Sequence, residues 1–286
     1  MKVSGQTQVF GIMGCPIEHS LSPIMHNAAF EAIGLQAVYV PFPVKAEDLG
    51  KATMSLRALN VSGVNVTIPH KGAVIEFLDE LDASAKQIGA VNTVVQRNRK
   101  LYGYNTDGAG FMLSLRKDGH FDPAGKKVVL IGAGGAASAV AMALAGAGVR
   151  RLVIANRNKT RAEVLAKRVL KHYERETLPV ALDESRALYW LIRESDLLIN
   201  ATSVGLQGNE KLKLNPNCLH SKLFVHDLIC RETPLVKQAR RKGLKALNGV
   251  GMLVSQGARS FEIFTGKRAP FRVMKNAVEQ ALKNEK

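Results

Sequence analysis

Apolar positions over residues 1–107 come as short strand-like runs separated by helical spacings. Residues 9–13 have the length and apolarity of a strand. From Ser22-Pro23 onward, Met25, Ala28, Ala29, Ala32 and Ile33 share a helical face. Ser22 is expected as its N-cap, Pro23 at its first position and Gly34 at its end. Residues 38–44 read as a strand carrying Pro41 and Pro43, which suit a sheet edge. A helical pattern over 47–59 leads to a strand at 64–68, then helical patterns over 71–81 and 84–88. Residues 91–97 and 100–104 pair as a hairpin around Asn98-Arg99. These spacings predict a mixed α/β lobe.

From Lys126 the rhythm changes. Strands at 128–131, 152–155, 197–200 and 224–227 are predicted, with helices over 135–148 and 160–173 between the earlier ones. The second helix is expected to bury Val164, Leu165, Val169 and Leu170. Alternation of this kind predicts a Rossmann-like, doubly wound parallel sheet with helices on both faces. The end is helical again, over 252–265 and 271–283. The division expected is 1–107, 108–247 and 248–286.

Charge sharpens this division. Residues 1–107 carry 9 basic and 9 acidic side chains, residues 108–247 carry 24 and 12, and residues 248–286 carry 7 and 3. The middle segment thus holds most of the net +16 and asks for an anionic partner, either nucleic acid or a phosphorylated dinucleotide. Most of these charges need do no more than solvate the surface. Cys15, Cys218 and Cys230 are too few and too scattered for a disulfide framework or a cysteine-rich metal site. His19, His26 and His70 match no zinc spacing, so no metal is expected. No apolar run reaches membrane-spanning length, and the first residues lack a signal-peptide core. The expectation is a reduced, cytoplasmic setting without membrane contact.

Two segments carry candidate chemistry. In Gly63-Val64-Asn65-Val66-Thr67-Ile68-Pro69-His70-Lys71, the β-formers make a buried strand and Pro69 ends its ladder. Lys71 is then held at the rim of rigid scaffold, where an ammonium can serve as general acid or base. The plainer reading is a surface lysine at a helix start. In Gly132-Ala133-Gly134-Gly135-Ala136, a glycine-rich turn joins a predicted strand to a predicted helix. Such a turn lets a pyrophosphate approach the backbone and the helix N-terminus. The next strand ends Asn156-Arg157-Asn158-Lys159-Thr160-Arg161. Neutral Asn156 stands where an acidic residue would bond a ribose 2′-hydroxyl. Arg157 and Arg161 suit a 2′-phosphate instead, so the cofactor expected is NADP.

Beyond these segments the chain carries Gly14-Cys15-Pro16-Ile17-Glu18-His19-Ser20-Leu21-Ser22-Pro23 with His26-Asn27. It also carries Gly89-Ala90-Val91-Asn92-Thr93, Gly103-Tyr104-Asn105-Thr106-Asp107, and Gly249-Val250-Gly251-Met252-Leu253 followed by Gln256. With the 63–71 and 132–136 segments, these resemble the shikimate dehydrogenase family, in the family's order, from about residue 11 to 266.

The resemblance implies Lys71 and Asp107 as the catalytic pair. Asp107 also precedes a helical stretch and reads as an N-cap. It implies Ser20 and Ser22 at the substrate carboxylate, and Asn65, Thr67, Asn92 and Gln256 around the ring hydroxyls. It adds Leu228 and Gly249 to the cofactor set of Gly132 to Ala136, Asn156, Arg157, Asn158 and Arg161. It also implies that the C-terminal helices return to the substrate lobe. The chain departs from the family at two points: Asn158 replaces a threonine, and Cys230 stands where the family carries a tyrosine that reaches the ligand. A small inert Cys230 and a thiolate favoured by Arg231 are the two readings there.

The activity implied is reversible, NADPH-dependent reduction of 3-dehydroshikimate to shikimate in aromatic amino-acid biosynthesis, by a monomer or homodimer acting on a small molecule. The rivals are a quinate/shikimate dehydrogenase using NAD or NADP, and a non-catalytic NADP-sensing or nucleic-acid-binding protein. No aromatic stacking motif or recognised nucleic-acid fold supports the last, so nucleic acid is not expected as a partner.

Overall fold

The structure is a computed structural model and describes residues 3–206 and 210–284. In chain order the strands and α-helices are β1 (Gln8–Gly14), α1 (Ser22–Ala32), β2 (Ala37–Pro43), α2 (Leu49–Ala58), β3 (Gly63–Val66), β4 (Glu80–Leu81), α3 (Ala83–Ile88), β5 (Thr93–Arg97), β6 (Lys100–Tyr104) and α4 (Asp107–Lys117). Then come β7 (Lys127–Ile131), α5 (Gly135–Gly146), β8 (Arg151–Asn156), α6 (Lys159–Tyr173), β9 (Glu176–Ala181), α7 (Ser185–Arg193), β10 (Leu197–Asn200), β11 (Phe224–Asp227), α8 (Pro234–Arg241), β12 (Ala246–Leu247), α9 (Val250–Thr265) and α10 (Phe271–Asn284). The chain divides into two compact units, Met1–Gly110 with Val254–Lys286, and Phe111–Leu253.

The first unit holds a six-stranded mixed sheet in the order β2-β1-β3-β5-β6-β4. Strands β1 and β2 run parallel, as do β1 and β3, while β5 is antiparallel to β3 and to β6. The prolines of β2 lie on an edge strand, where a missing N–H costs no ladder bond. The β5–β6 hairpin turns at Asn98 and Arg99, both at positive φ, which a two-residue turn of this hand requires. One side of the sheet buries Met13, Val64, Val66, Val94 and Leu101 against Leu56 and Val74. The C-terminal helices belong to this unit, where α10 packs on α1.

The second unit has an all-parallel sheet in the order β12-β11-β10-β7-β8-β9. Read from β9, this is the doubly wound 3-2-1-4-5-6 order, reversing between β7 and β10. Its strands are near-continuous apolar runs because helices cover both faces.

Several elements differ from the sequence pattern. No α-helix forms over 71–81; a 3-10 turn spans Ala73–Phe77 instead. The Lys71 carbonyl accepts from Val91 N (2.8 Å), so it is taken by another segment, and Ile75 N turns to Gly72 O. Ser22 does not cap α1: the cap residue is Leu21, without a side-chain cap bond, and Ser22 is buried in the first turn. Helix α6 buries Ala162, Leu165, Ala166 and Val169, whereas Val164 and Leu170 are exposed. Two small alanines let α6 approach closely and rotate its buried stripe away from those larger residues. Strand β9, α7 and α8 are not anticipated by the pattern. A local signal for α8 exists: Thr233 caps it through Val236 N (3.3 Å), with Pro234 in its first turn.

Candidate active site

In the first unit the backbone flanking Lys71 is tied down on both sides. Thr67 N donates to Met13 O (2.9 Å), His70 N to Thr67 O (2.8 Å) and Val91 N to Lys71 O (2.8 Å). The buried His70 ring donates from Nε2 to the Val44 carbonyl at 2.7 Å. From this anchored turn Lys71 Nζ reaches Asp107 Oδ2 at 2.6 Å. The side chains are only 15% and 4% exposed, so the attraction is little screened and each charge depends on the other. Asp107 lies in the first turn of α4. Its Oδ1 accepts from Asn92 Nδ2 at 2.9 Å while Oδ2 takes Lys71.

Asn92, Asn65 and Gln256 converge on this pair through a buried polar network. Asn92 Nδ2 also donates to Thr106 Oγ1 (2.8 Å) and Gln256 Oε1 (3.1 Å). Asn65 Nδ2 donates to Asn92 O (2.9 Å), Thr93 Oγ1 (3.1 Å) and Ser260 Oγ (3.0 Å), and Asn65 Oδ1 accepts from Tyr39 OH (2.8 Å). Tyr39 is fully buried, which pushes its phenol well above the ordinary range. His26 stacks on its ring at 4.4 Å. Burial lowers His26 to about 3, and among the described residues neither ring nitrogen has a hydrogen-bond partner. The ring is therefore neutral.

Ser22 comes within hydrogen-bonding reach of Tyr39. The Ser20 hydroxyl accepts from Ser22 N at 3.3 Å. Among the described residues, Ser20 and Thr67 have no side-chain hydrogen bond to the Lys71–Asp107 cluster. Tyr39, Thr93, Thr106 and Ser260 are network members that sequence reasoning did not assign. No local signal marks their place in the network, because the bonds that join them to Asn65, Asn92 and one another mostly span 14 to 195 residues of chain. Among the described residues, no three His, Cys, Asp or Glu side chains converge as a metal site.

In the second unit, Gly132 follows β7 at the strand-order reversal. Its φ is +120°, and a Cβ there would lie 2.8 Å from Ala201 O, so only glycine fits. Ala133 leads to Gly134, the N-cap of α5. The first intrahelical bond is Ser138 N to Gly134 O, which leaves the N–H groups of Gly135, Ala136 and Ala137 without a helix partner. A Cβ on Gly134 would meet no protein atom within 4 Å, so room exists before a positive helix end.

At the end of β8, Asn156 Nδ2 donates to Asn158 O (2.8 Å) and Asn158 caps α6 through Arg161 N (3.3 Å). Arg157 and Arg161 are exposed, and neither forms an ion pair among the described residues. The donor set fits a phosphorylated dinucleotide: backbone N–H groups for a pyrophosphate, and two uncommitted guanidinium groups for a further phosphate. Beside β11, a Cβ on Gly249 would collide with the backbone of Leu228 and Ile229, and Gly249 N donates to Ile229 O (2.9 Å).

Asp227 is buried, with no cation paired to it among the described residues. It accepts from Asn200 Nδ2, Ile229 N (3.1 Å) and Thr233 Oγ1 (2.7 Å), and burial raises its carboxyl. Cys230 is half-buried. Its thiol is pushed up to about 12, by burial first and by Asp227 second. The upward shift favours the small inert reading of Cys230 over the thiolate.

A doubly wound parallel sheet with a glycine turn at the strand-order reversal defines a dinucleotide-binding α/β protein, here joined to a mixed-sheet unit bearing a Lys–Asp pair. Residues 12–94 match the shikimate dehydrogenase substrate binding domain, 115–228 the shikimate / quinate 5-dehydrogenase family, and 249–279 the shikimate 5'-dehydrogenase C-terminal domain. The chain is 45% identical to the shikimate dehydrogenase (NADP(+)) of Methanopyrus kandleri over 99% of both chains. It is 42% identical to that of Desulforamulus reducens, over 98% of this chain and 97% of the relative. A crystal structure of a shikimate dehydrogenase in complex with NADP+ superposes with a TM-score of 0.89 at 40% identity, covering 98% of each chain. The Thermus thermophilus enzyme in complex with NADP(H) and shikimate gives 0.84 at 35%, covering 96% of this chain and 100% of that one. The chain belongs to the shikimate dehydrogenase family.

Proposed function

We propose that this chain catalyses the reversible NADPH-dependent reduction of 3-dehydroshikimate to shikimate, a step of aromatic amino-acid biosynthesis. The observation that carries this reading is the 2.6 Å Lys71–Asp107 pair, held on the anchored turn after β3. In reduction, Lys71 Nζ delivers a proton to the substrate carbonyl oxygen; in oxidation it takes the hydroxyl proton. Asp107 holds the ammonium in place and accepts from a substrate hydroxyl, its carboxylate plane set by Asn92. Ser20 and Ser22 bind the substrate carboxylate, and Asn65, Thr67, Asn92 and Gln256 bind ring hydroxyls. Cys230 takes the place of a ligand-facing tyrosine.

NADP, when bound, supplies or receives the hydride at the ring carbon. Gly132, Ala133, Gly134, Gly135 and Ala136 receive its pyrophosphate. Asn156, Arg157, Asn158 and Arg161 receive its 2′-phosphate, and Leu228 and Gly249 complete the cofactor-binding set.

The test follows cofactor absorbance with shikimate and quinate, each with NADP and with NAD. Fastest turnover with shikimate and NADP supports the reading. Preference for quinate or NAD would move it to the rival activity, and no turnover with any pair would overturn it.

A further inference from the structure

The amide orientations of Asn65 and Asn92 follow from the main chain. A carbonyl only accepts, so the Asn65 edge at 2.9 Å from Asn92 O is its NH2 group, and Tyr39 OH must donate to the other edge. A backbone N–H only donates, so the Asn92 edge at 2.9 Å from Thr106 N is its oxygen. Thr93 Oγ1 lies between the two amides, 3.1 Å from Asn65 Nδ2 and 3.0 Å from Asn92 Oδ1. It is also 2.8 Å from Ser260 Oγ, which in turn lies 3.2 Å from Thr106 Oγ1.

At this edge Asn92 Oδ1 only accepts, so Thr93 donates its proton there and accepts from its neighbours. The Ser260 proton has two acceptors in reach, Thr93 Oγ1 at 2.8 Å and the Gln256 carbonyl at 3.1 Å. The Asn65 NH2 group shares its two protons among Asn92 O, Thr93 Oγ1 and Ser260 Oγ. Thr106 accepts from Asn92 Nδ2 and lies within donating distance of Ser260 Oγ. Thr93 and Ser260 are fully buried and Thr106 is 1% exposed, so water does not compete for these places.

We infer that Thr93, locked by Ser260, is a positioning residue. It sets the amides of Asn65 and Asn92 against each other and, through Asn92, the plane of the Asp107 carboxylate. The inference rests on the proposed reading that these amides meet ring hydroxyls. It assigns Ser260, on α9, to the active-site network rather than to helix packing.

Thr93→Val removes the hydroxyl and keeps the shape; Thr93→Ser keeps the hydroxyl. Loss of a buried partner predicts a fall in kcat/KM for shikimate of about 10- to 100-fold in Thr93→Val and of no more than about threefold in Thr93→Ser. The Kd of NADP stays unchanged in both. A serine variant as impaired as the valine variant, or a valine variant matching the wild type, would overturn the inference.

A second readout needs no catalysis: in the unliganded protein, the side-chain NH2 protons of Asn65 and Asn92 exchange faster with solvent in Thr93→Val than in Thr93→Ser. If the wild type fails to turn over shikimate, the functional reading falls while this measurement still decides the positioning role. Should Thr93→Val not fold, Ser260→Ala is expected to speed Asn65 exchange and lower kcat/KM by about threefold to tenfold. No change in either quantity would sink the idea.

Discussion

The two units prepare for their ligands with different materials. In the first unit, the candidate chemistry is made of side chains that hold one another: Lys71 on Asp107, Asp107 on Asn92, Asn65 on Thr93 and Ser260. In the second, it is made of backbone, a glycine turn and a helix N-terminus, with two arginines that no carboxylate among the described residues holds. The difference fits the ligands proposed. A ring with several hydroxyls is read by placed donors and acceptors, which must be preorganised in a buried network. A phosphate is read by charge and N–H groups, which a helix end supplies in any sequence that can make the turn. Charge divides the same way, with residues 1–107 neutral and 108–247 strongly basic.

Substitutions in each unit test this division. The largest effect is expected from Lys71→Ala, which removes the proton donor and leaves a buried Asp107 uncompensated. Turnover should fall by about 10²- to 10⁴-fold, while the Kd of NADP, measured by titration, hardly moves. Near-normal turnover would remove Lys71 from the mechanism. Next in size, replacing both Arg157 and Arg161 by Ala should weaken NADP binding by about 10- to 100-fold, given the strength of charge-assisted bonds. NAD binding should change little, and the loss should be greater at low salt. Equal losses for the two cofactors would mean that these arginines do not read the 2′-phosphate.

The units share one feature, a buried neutral histidine on an aromatic ring with no hydrogen-bond partner among the described residues. His26 lies on Tyr39 and His226 lies on Phe111. Burial lowers them from 6.5 to about 3 and about 4. The unfolded chain therefore binds protons that the native state refuses. Stability is full above 6.5 and is lost as pH falls from there toward the folded values. Each histidine contributes a slope of up to about 1.4 kcal/mol per pH unit. Unfolding measured against pH should show this acid loss, and His26→Phe and His226→Phe should each flatten it. A profile unchanged in both variants would show that other groups set the acid limit.

The smallest effect concerns Cys230→Tyr. A phenol there adds one hydrogen bond to a shikimate-sized ligand, and the Michaelis constant for shikimate should fall by about threefold to tenfold. A drop in melting temperature instead would show that neighbours fill the space. No change in either would mean that position 230 does not face the ligand.

Much of the second unit was readable from the chain because its signals are local. Gly132 needs its positive φ and close approach within a strand–turn–helix of a few residues, and Arg157 and Arg161 flank one helix start. The hairpin at Asn98-Arg99 was readable for the same reason. The misreadings also share a cause. The 71–81 pattern had helical spacing, but Val91 N took the Lys71 carbonyl from outside the segment. Ser22 had the residue type of a cap, yet it is buried in the first turn.

By itself, the sequence determined the α/β class, most strands and helices and the nucleotide turn, because residue type and short-range spacing set each of these; the Lys71–Asp107 pair, 36 residues apart, came from the family resemblance. Only the tertiary structure decided which hydroxyls hold the amides beside that pair and how those amides meet one another. Asn65 meets Ser260 across 195 residues of chain, and Asn92 meets Gln256 across 164. Such partners carry no periodicity. Each is an ordinary polar residue until folding removes it from water, and then it must find a hydrogen bond.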